Sequence, residues 1–385
     1  MTESILSLVQ ELVRIPSRGG VDNPTTVLEK IALWFKDTDL PGEILTDSSG
    51  NPCAFYAETA GDGTGKDPLY ILDACIDTAD TGDLDSWTHD PFSAETEDGW
   101  LYGRGSGDSK MGVSIFSHIF RDFYHAKTTG NGRLGVLFDA DEHTGRFGGV
   151  KRLLETRNDI AGVCIGYPGM DELVIGARGF YRAKIRIPGK AGHTGMPAAS
   201  VQNAARDGAD FIAQLYTAWD LFTPTLNEDK NFPFGPGMTV TEVHSGTAFS
   251  VIPDLCTIFI DFRLTHICQE DDIVQFLDSV VSQYKGFACE KIDSWPAYTL
   301  PNNHELAESL GSAVEKISGR KLPRIYCGPS NIGNFLASYN IPATCGFGVV
   351  CENFHAADER IRIDTIELVY KVYKEMIATL IKNQS

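Results

Sequence analysis

The chain has 385 residues, 42% apolar and 22% charged, with a formal charge of −19 and nine cysteines, and since single cores rarely grow past about 250–300 residues, two domains are expected. A surface this acidic repels phosphate backbones and anionic membranes, which argues against nucleic acid or a membrane as partner; it says little about a small-molecule substrate, because local charge in a cleft can oppose the global sign. No apolar run approaches the roughly 20 residues that span a bilayer, and an odd cysteine count without a CxxC pair suits a reducing, cytoplasmic compartment.

The stretch MTESILSLVQELVRIP reads as an amphipathic helix and not as a signal peptide, with Thr2 as N-cap and Ile5, Leu6, Val9, Leu12 and Val13 on one face. A second helix is predicted to open at Asn23-Pro24, with proline in its first turn. Short strands follow at Gly42–Leu45, Pro52–Ala57 and Pro68–Cys75. Leu69 to Leu72 is continuously apolar, as a strand covered on both faces should be, and Leu134–Phe138 and Gly162–Ile165 repeat the pattern. Helical periodicity marks Met111–Asp122 and Gly149–Glu155. This alternation predicts an α/β fold with a mixed, mostly parallel sheet flanked by helices.

Near Arg178-Gly179 the texture changes. Phe180–Ile187 alternates like a half-exposed strand, Ser200–Leu215 reads as a helix, Met238–Val243 and Leu255–Arg263 as strands, and Asp271–Tyr284 as a helix. That order predicts an inserted α+β, ferredoxin-like domain at 179–290, between catalytic parts 1–178 and 291–385. The chain ends in a predicted helix, Ile363–Ile381.

Three segments dense in polar residues are read as directly following buried strands, where open α/β sheets bind ligands. They are Asp73-Ala-Cys-Ile-Asp77-Thr, Leu101-Tyr-Gly-Arg-Gly-Ser-Gly-Asp108-Ser-Lys110-Met-Gly, and Asp139-Ala-Asp-Glu142-His143-Thr-Gly145. A fourth, Phe354-His355-Ala-Ala-Asp358-Glu359, precedes the last helix. The glycine run 103–107 lacks the Gly-Lys-Ser/Thr ending of a phosphate loop.

In this order the segments resemble the aminoacylase, carboxypeptidase G and acetylornithine deacetylase family of co-catalytic zinc metallopeptidases, along nearly the whole chain. LYGRGSGDSKMG is the most specific element, similar to that family's Gly-Arg-Gly-x-x-Asp-x-Lys-Gly segment. GKAGHTGMP, VIPD, DFR and His355 support it. The resemblance implies two zinc ions, with Asp108 as bridging carboxylate, Asp77 orienting a metal ligand, and Glu142 as general base. It implies His355 as the last ligand and His193 as a histidine that reaches a partner's active site. The inserted domain would then be a lid that pairs across a two-fold axis, giving a homodimer.

Three expected ligand positions have changed. The first histidine is Cys75, the second glutamate is His143, in register with Gly145, and a later acid is Tyr167 beside Pro168. Phe249 and Ser250 stand where the family has a substrate-binding asparagine, and Arg263 closes the DFR strand; Ser250 and Arg263 are the substrate-binding candidates. Asp108, His143 and His355 make a good single site with an open fourth position. Asp108, Cys75 and Tyr167 make a doubtful second one. One strong site is therefore expected, with zinc favoured and cobalt, manganese or iron compatible. Cys75 also reads as a plain core residue, Tyr167 as a filler bonded to Asp108 or Cys75, and Asp108 as a helix N-cap.

The leading reading is a metal-dependent hydrolase of an amide bond in a carboxylate-bearing substrate, such as an N-acyl amino acid, a dipeptide or a carbamoyl compound. The alternatives are a degenerate homologue that binds without turnover and, third, a metal-free hydrolase using Cys75 as nucleophile and His143 as base.

Overall fold

A computed structural model describes residues 1–61, 67–127, 132–197, 201–226 and 228–382. They form two compact units, one of Met1–Ile175, Leu300–Ile325 and Asn340–Ser385, the other of Gly176–Thr299 with Tyr326–Tyr339. Among the described residues no helix is long and apolar enough to cross a membrane.

The first unit opens with helices α1 (Thr2–Val13) and α2 (Thr25–Asp37). Helix α1 buries Ile5, Leu8, Val9, Leu12 and Val13; Leu8 takes the place expected of Leu6, which is only partly buried against the same core. Thr2 is not a cap: Met1 holds the N-cap position and no side chain bonds the first turn. Strands β1 (Glu43–Thr46), β2 (Pro52–Glu58) and β3 (Leu69–Cys75) follow, then the short β4 (Thr96–Glu97) and β5 (Trp100–Tyr102). Next come α3 (Met111–His125), β6 (Arg133–Asp139), α4 (Gly148–Leu154), β7 (Ile160–Ile165) and β8 (Leu173–Ala177). Every residue of β3 is buried, which is why its sequence shows no polar alternation.

The second unit follows the order β9 (Gly179–Pro188), β10 (Gly192–His193), α5 (Ala204–Phe222), β11 (Gly237–Ser245), β12 (Val251–Ile252), β13 (Leu255–Leu264), α6 (Glu270–Val281), β14 (Ala288–Trp295) and β15 (Tyr298–Thr299). Four strands form an antiparallel sheet in the order β11-β13-β9-β14, the expected α+β pattern. Alternate residues of β13 are buried, and Phe262 packs against Trp219 of α5 and Phe276 of α6. Ser200, the expected start of α5, lies outside the described residues. The helix begins at Ala204 because the Asn203 side chain accepts the N–H groups of Ala205 and Arg206. Helix α6 begins with a capping box between Gln269 and Asp272.

The chain continues through α7 (Glu305–Ser318), β16 (Arg324–Cys327), α8 (Ile332–Ala337), β17 (Ala343–Cys345), β18 (Cys351–Glu352), β19 (Arg360–Arg362) and α9 (Ile366–Lys382). The turn expected to open the last helix at Ile363 is a separate 3-10 turn. The large sheet of the first unit runs β1-β2-β6-β3-β7-β17-β8. Its central pairs, β6–β3, β3–β7 and β7–β17, are parallel, while its margins are antiparallel. In this register Cys75 lies opposite Asp139, and Asp73 opposite Ile165. The loops after β3, β6 and β7 therefore leave the same edge side by side. A small sheet, β18-β19-β5-β4, presents the loop after β5 and the β18–β19 turn.

Candidate metal centre

The loop after β5 carries Asp108 and is built around one buried acid. Glu359, on the β18–β19 turn and fully buried, accepts from Arg104 Nη1 at 2.7 Å and from the backbone N–H groups of Gly105 at 3.1 Å, Gly107 at 2.9 Å and Asp108 at 3.2 Å. Arg104 also donates to the Ala356 carbonyl at 3.0 Å. Gly105 sits at φ +80°, and a Cβ there would meet Thr78 Cγ2 at 2.4 Å, so this turn admits only glycine. Lys110 is buried and donates to the carbonyls of Leu12 at 3.0 Å and Ile15 at 2.8 Å, tying the loop to the end of α1. Asp108 has extended, non-helical dihedrals, and α3 is capped by Lys110 without a side-chain bond. The N-cap reading of Asp108 is thus corrected: its carboxylate faces other partners.

Asp108 Oδ2 lies 3.1 Å from His143 Nε2 and 2.8 Å from His355 Nε2. One ligand atom from each residue falls within 4.8 Å of the others. Burial alone would raise the Asp108 carboxyl, but the two imidazoles outweigh it and hold it well below the usual carboxylate range. Burial pulls His143 down, yet Asp108 and Asp77 dominate and raise it to about 11. His355 adopts φ +61°, a left-handed conformation that a non-glycine residue keeps only when its surroundings fix it, and such positions cluster at functional sites.

Asp77 leaves the end of β3 buried and accepts from the backbone N–H groups of Glu142 at 3.1 Å and His143 at 2.8 Å. Its Oδ2 also stands 3.5 Å from His143 Nδ1. That is an ion-pair distance without hydrogen-bond geometry; with an ion held by Nε2, the remaining ring proton would sit on Nδ1, on the Asp77 side. One carboxylate and two imidazoles are a ligand set that fits a divalent cation with an open coordination position, and such an ion would displace the Nε2 proton of His143.

The second position does not fit. Cys75 is buried, with Sγ 3.3 Å from Ser109 Oγ and 3.9 Å from Asp108 Oδ1. Burial, with Glu142 and Asp108 nearby, pushes its thiol well above its ordinary value. It is kept as a poor thiolate, which also weighs against the nucleophile reading. Cys75, Asp77 and His143 gather within 4.8 Å as well, but His143 cannot present a neutral lone pair from both nitrogens. Tyr167 follows β7, and its hydroxyl donates to Glu142 Oε1; the filler contact expected with Asp108 or Cys75 is replaced by this one. Burial and the surrounding acids push the phenol well above its ordinary value, so it keeps its proton.

Glu142 is half-buried. Burial first and Asp108 second raise it to about 7, while the Tyr167 hydrogen bond works the other way. The remaining candidates belong to the second unit. His193 pairs with Val251 across β10–β12 and accepts from the Gly195 N–H on Nδ1 at 3.0 Å. Ser250 is exposed. Arg263 pairs with Asp261 at 2.8 Å and donates to Ser330 Oγ at 3.3 Å. Two residues without an assigned role in the sequence belong with the centre. Glu359 organises the loop, and its charge four residues after His355 was the available signal. Asp73, two residues before Cys75 on β3, is buried, and neither carboxylate oxygen has a partner among the described residues.

The family model for peptidase family M20/M25/M40 matches residues 71–379. The succinyl-diaminopimelate desuccinylase of Acinetobacter baumannii (strain ACICU) is 25% identical over 392 residues, covering 98% of both chains. That of Psychrobacter sp. (strain PRwf-1) is 27% identical over 82% of this chain and 80% of its own. Among solved structures, the M20 family metallo-carboxypeptidase Sso-CP2 from Sulfolobus solfataricus superposes with a TM-score of 0.79 at 16% identity, over 97% of this chain and 98% of that one. Aminopeptidase PepT from Bacillus cereus ATCC 10987 gives 0.74 at 18% identity, over 98% of each.

Proposed function

The chain belongs to peptidase family M20/M25/M40, and from that membership we propose that this hydrolase cleaves the amide bond of a small carboxylate-bearing substrate with one strong metal site. The substrate class is an N-acyl amino acid, a dipeptide or a carbamoyl compound; the desuccinylase relatives put N-succinyl amines first among the N-acyl candidates. The observation that carries the reading is one carboxylate oxygen, Asp108 Oδ2, with an imidazole nitrogen on either side at 3.1 and 2.8 Å.

Asp108, His143 and His355 would hold the ion, zinc by preference, with cobalt, manganese or iron also suited to one oxygen and two nitrogen ligands. A divalent ion there supplies a Lewis acid for the carbonyl and makes water a nucleophile near neutral pH. Glu142 takes the proton of the attacking water and returns it to the leaving nitrogen. Asp77 holds His143 in the tautomer that leaves Nε2 available. Asp108 is kept in place by the Glu359 network, so it is ready without rearrangement. We assign Arg263 and Ser250 to the substrate's carboxylate and His193 to a catalytic role supplied within a homodimer, as the family resemblance implies. A cytoplasmic location completes the proposal.

The test is to load the full chain with zinc, count ions per chain, and assay N-acetyl, N-succinyl and N-carbamoyl amino acids and dipeptides. One ion per chain, with hydrolysis lost on chelation and in Glu142→Ala while the ion is retained, is the expected result. No uptake of zinc, cobalt, manganese or iron would end the proposal.

A further inference from the structure

A solved relative is described as a dinuclear metal-binding peptidase, yet the second metal position here is lined by three neutral donors. Ser109 Oγ donates to Asp108 Oδ1 at 3.4 Å, the Cys75 thiol lies beside the same oxygen, and the Tyr167 hydroxyl donates to Glu142 Oε1. The two oxygens of Asp108 are thus divided: Oδ2 faces the two histidines, and Oδ1 faces O–H and S–H groups. Hydrogen-bond donors stand where a cation would otherwise supply positive charge.

Tyr167 is also held rigidly. The Gly166 N–H donates to the Asp73 carbonyl at 2.8 Å, and the Gly169 N–H to the Val349 carbonyl at 3.0 Å. A Cβ on Gly348 would lie 2.0 Å from the Tyr167 carbonyl oxygen, so the segment rests directly on the backbone at 348. The side chain is half-buried, and its hydroxyl lies at the Glu142 carboxylate.

We propose that the Tyr167 hydroxyl replaces the second cation as the group that stabilises the developing oxyanion. Between turnovers its O–H is bonded to the Glu142 carboxylate. When water adds to the substrate carbon, a new C–O bond forms, the carbonyl π pair moves onto oxygen, and the water's proton goes to Glu142. A protonated Glu142 is a poorer acceptor, so the Tyr167 O–H turns to the oxyanion and donates to it without losing its proton. The oxyanion pair then reforms C=O, the C–N bond breaks, and the proton on Glu142 passes to nitrogen, giving a carboxylic acid and an amine. Coupling the donor to the base in this way makes the phenol available at the moment charge develops.

This inference rests on the one-metal hydrolase reading, and the experiment separates the two. Zinc-loaded wild type is expected to carry one ion per chain. Tyr167→Phe keeps that ion and the circular dichroism of the wild type, while kcat falls about 100-fold and KM stays within about 3-fold, the loss typical of one oxyanion donor. The double variant Cys75→His/Tyr167→Glu, which puts good ligands back, takes up a second ion; this readout needs no substrate. An unchanged kcat in Tyr167→Phe, or no second ion in the double variant, overturns the inference while leaving the one-metal hydrolase standing; two ions in the wild type overturn the inference and the one-metal reading together, while leaving a metal-dependent hydrolase. Loss of all metal uptake by the wild type overturns both.

Discussion

Replacing Glu359 by glutamine tests whether the Asp108 loop is organised as described. Arg104 and Glu359 are both essentially inaccessible, with side-chain exposures of 1% and 0%. Glu359 also receives three backbone N–H groups, and one nitrogen of Arg104, Nε, already lacks a partner among the described residues. Glutamine keeps the volume and removes the charge, leaving the guanidinium unpaired and turning an amide N–H₂ toward donors. Breaking one side of such a buried pair costs about 3–5 kcal/mol, because the surviving charge is stranded. Hydrogen exchange of the β3 amides in the presence of a chelator measures the loss without any contribution from bound metal. The same variant should weaken zinc binding, since one of the two acceptor positions shared by the N–H groups of Gly105, Gly107 and Asp108 becomes an N–H₂ donor and loosens the loop. A double-mutant cycle with Arg104→Met and Glu359→Met sharpens the test: the double cost should fall at least ~2 kcal/mol short of the summed singles. Strict additivity, or a cost below about 1 kcal/mol for Glu359→Gln, would refute the assignment.

Asp77→Asn should lower zinc affinity by about 10–100-fold through His143 alone, read by competition with a chromophoric chelator; unaltered affinity removes Asp77 from the centre. His118 is buried, with Nδ1 on the Ser114 carbonyl at 2.7 Å and Nε2 on Ser4 Oγ at 2.9 Å, and burial pulls it from 6.5 to about 4. Its folded pKa is depressed, so between those values the unfolded chain binds the extra proton. The stabilisation is complete above pH 6.5 and lost as pH falls to about 4, by about 3 kcal/mol in all. The stability difference between wild type and His118→Phe should change by that amount across the window, and a flat difference contradicts it. In the second unit, Phe262→Ala should cost about 3–5 kcal/mol, seen as lost amide protection along β13; retained protection there means that the packing of Phe262 with Trp219 and Phe276 is not central.

The legible parts of the sequence were those fixed by local pattern. Continuous burial of β3 shows as the unbroken apolar run Leu69–Leu72, and the buried face of α1 shows as a helical period, misplaced only at Leu6 and Leu8, which flank the same stripe. The register of Gly145 puts Glu142 beside His143, and the structure brings that pair to Asp108 and His355. Caps were harder to read, because Thr2 and Asn203 are both sound N-cap residues and only the surrounding chain decides which one is used. The partners of buried polar groups were not legible at all. Glu359 meets donors some 250 positions earlier in the chain, and no local pattern encodes which acid a buried arginine will meet. Tyr167 was readable as an altered ligand position, but its acceptor depends on how the loops after β6 and β7 converge.

The altered residues make more sense as a coupled set than as separate losses. In the family pattern Asp77 serves a histidine at position 75; a cysteine there has no ring nitrogen to orient, and its buried thiol turns to Ser109 instead. Asp77 would then be a buried carboxylate without its client, which is costly unless another donor takes its place. His143 meets it: its backbone N–H donates to Asp77 at 2.8 Å, its Nδ1 stands at ion-pair distance, 3.5 Å, and its Nε2 lies at Asp108. A glutamate at 143 would instead have put a fourth carboxylate among Asp77, Asp108 and Glu142, repelling all three unless two cations neutralised them. An imidazole at 143 and a phenol at 167, where the resemblance implies acids, leave fewer carboxylates for a cation to neutralise. On the family resemblance, the residues at 75, 143 and 167 form one compensating set, and what the structure contributes is the division of Asp108, with histidines at one oxygen and Ser109 and Cys75 at the other.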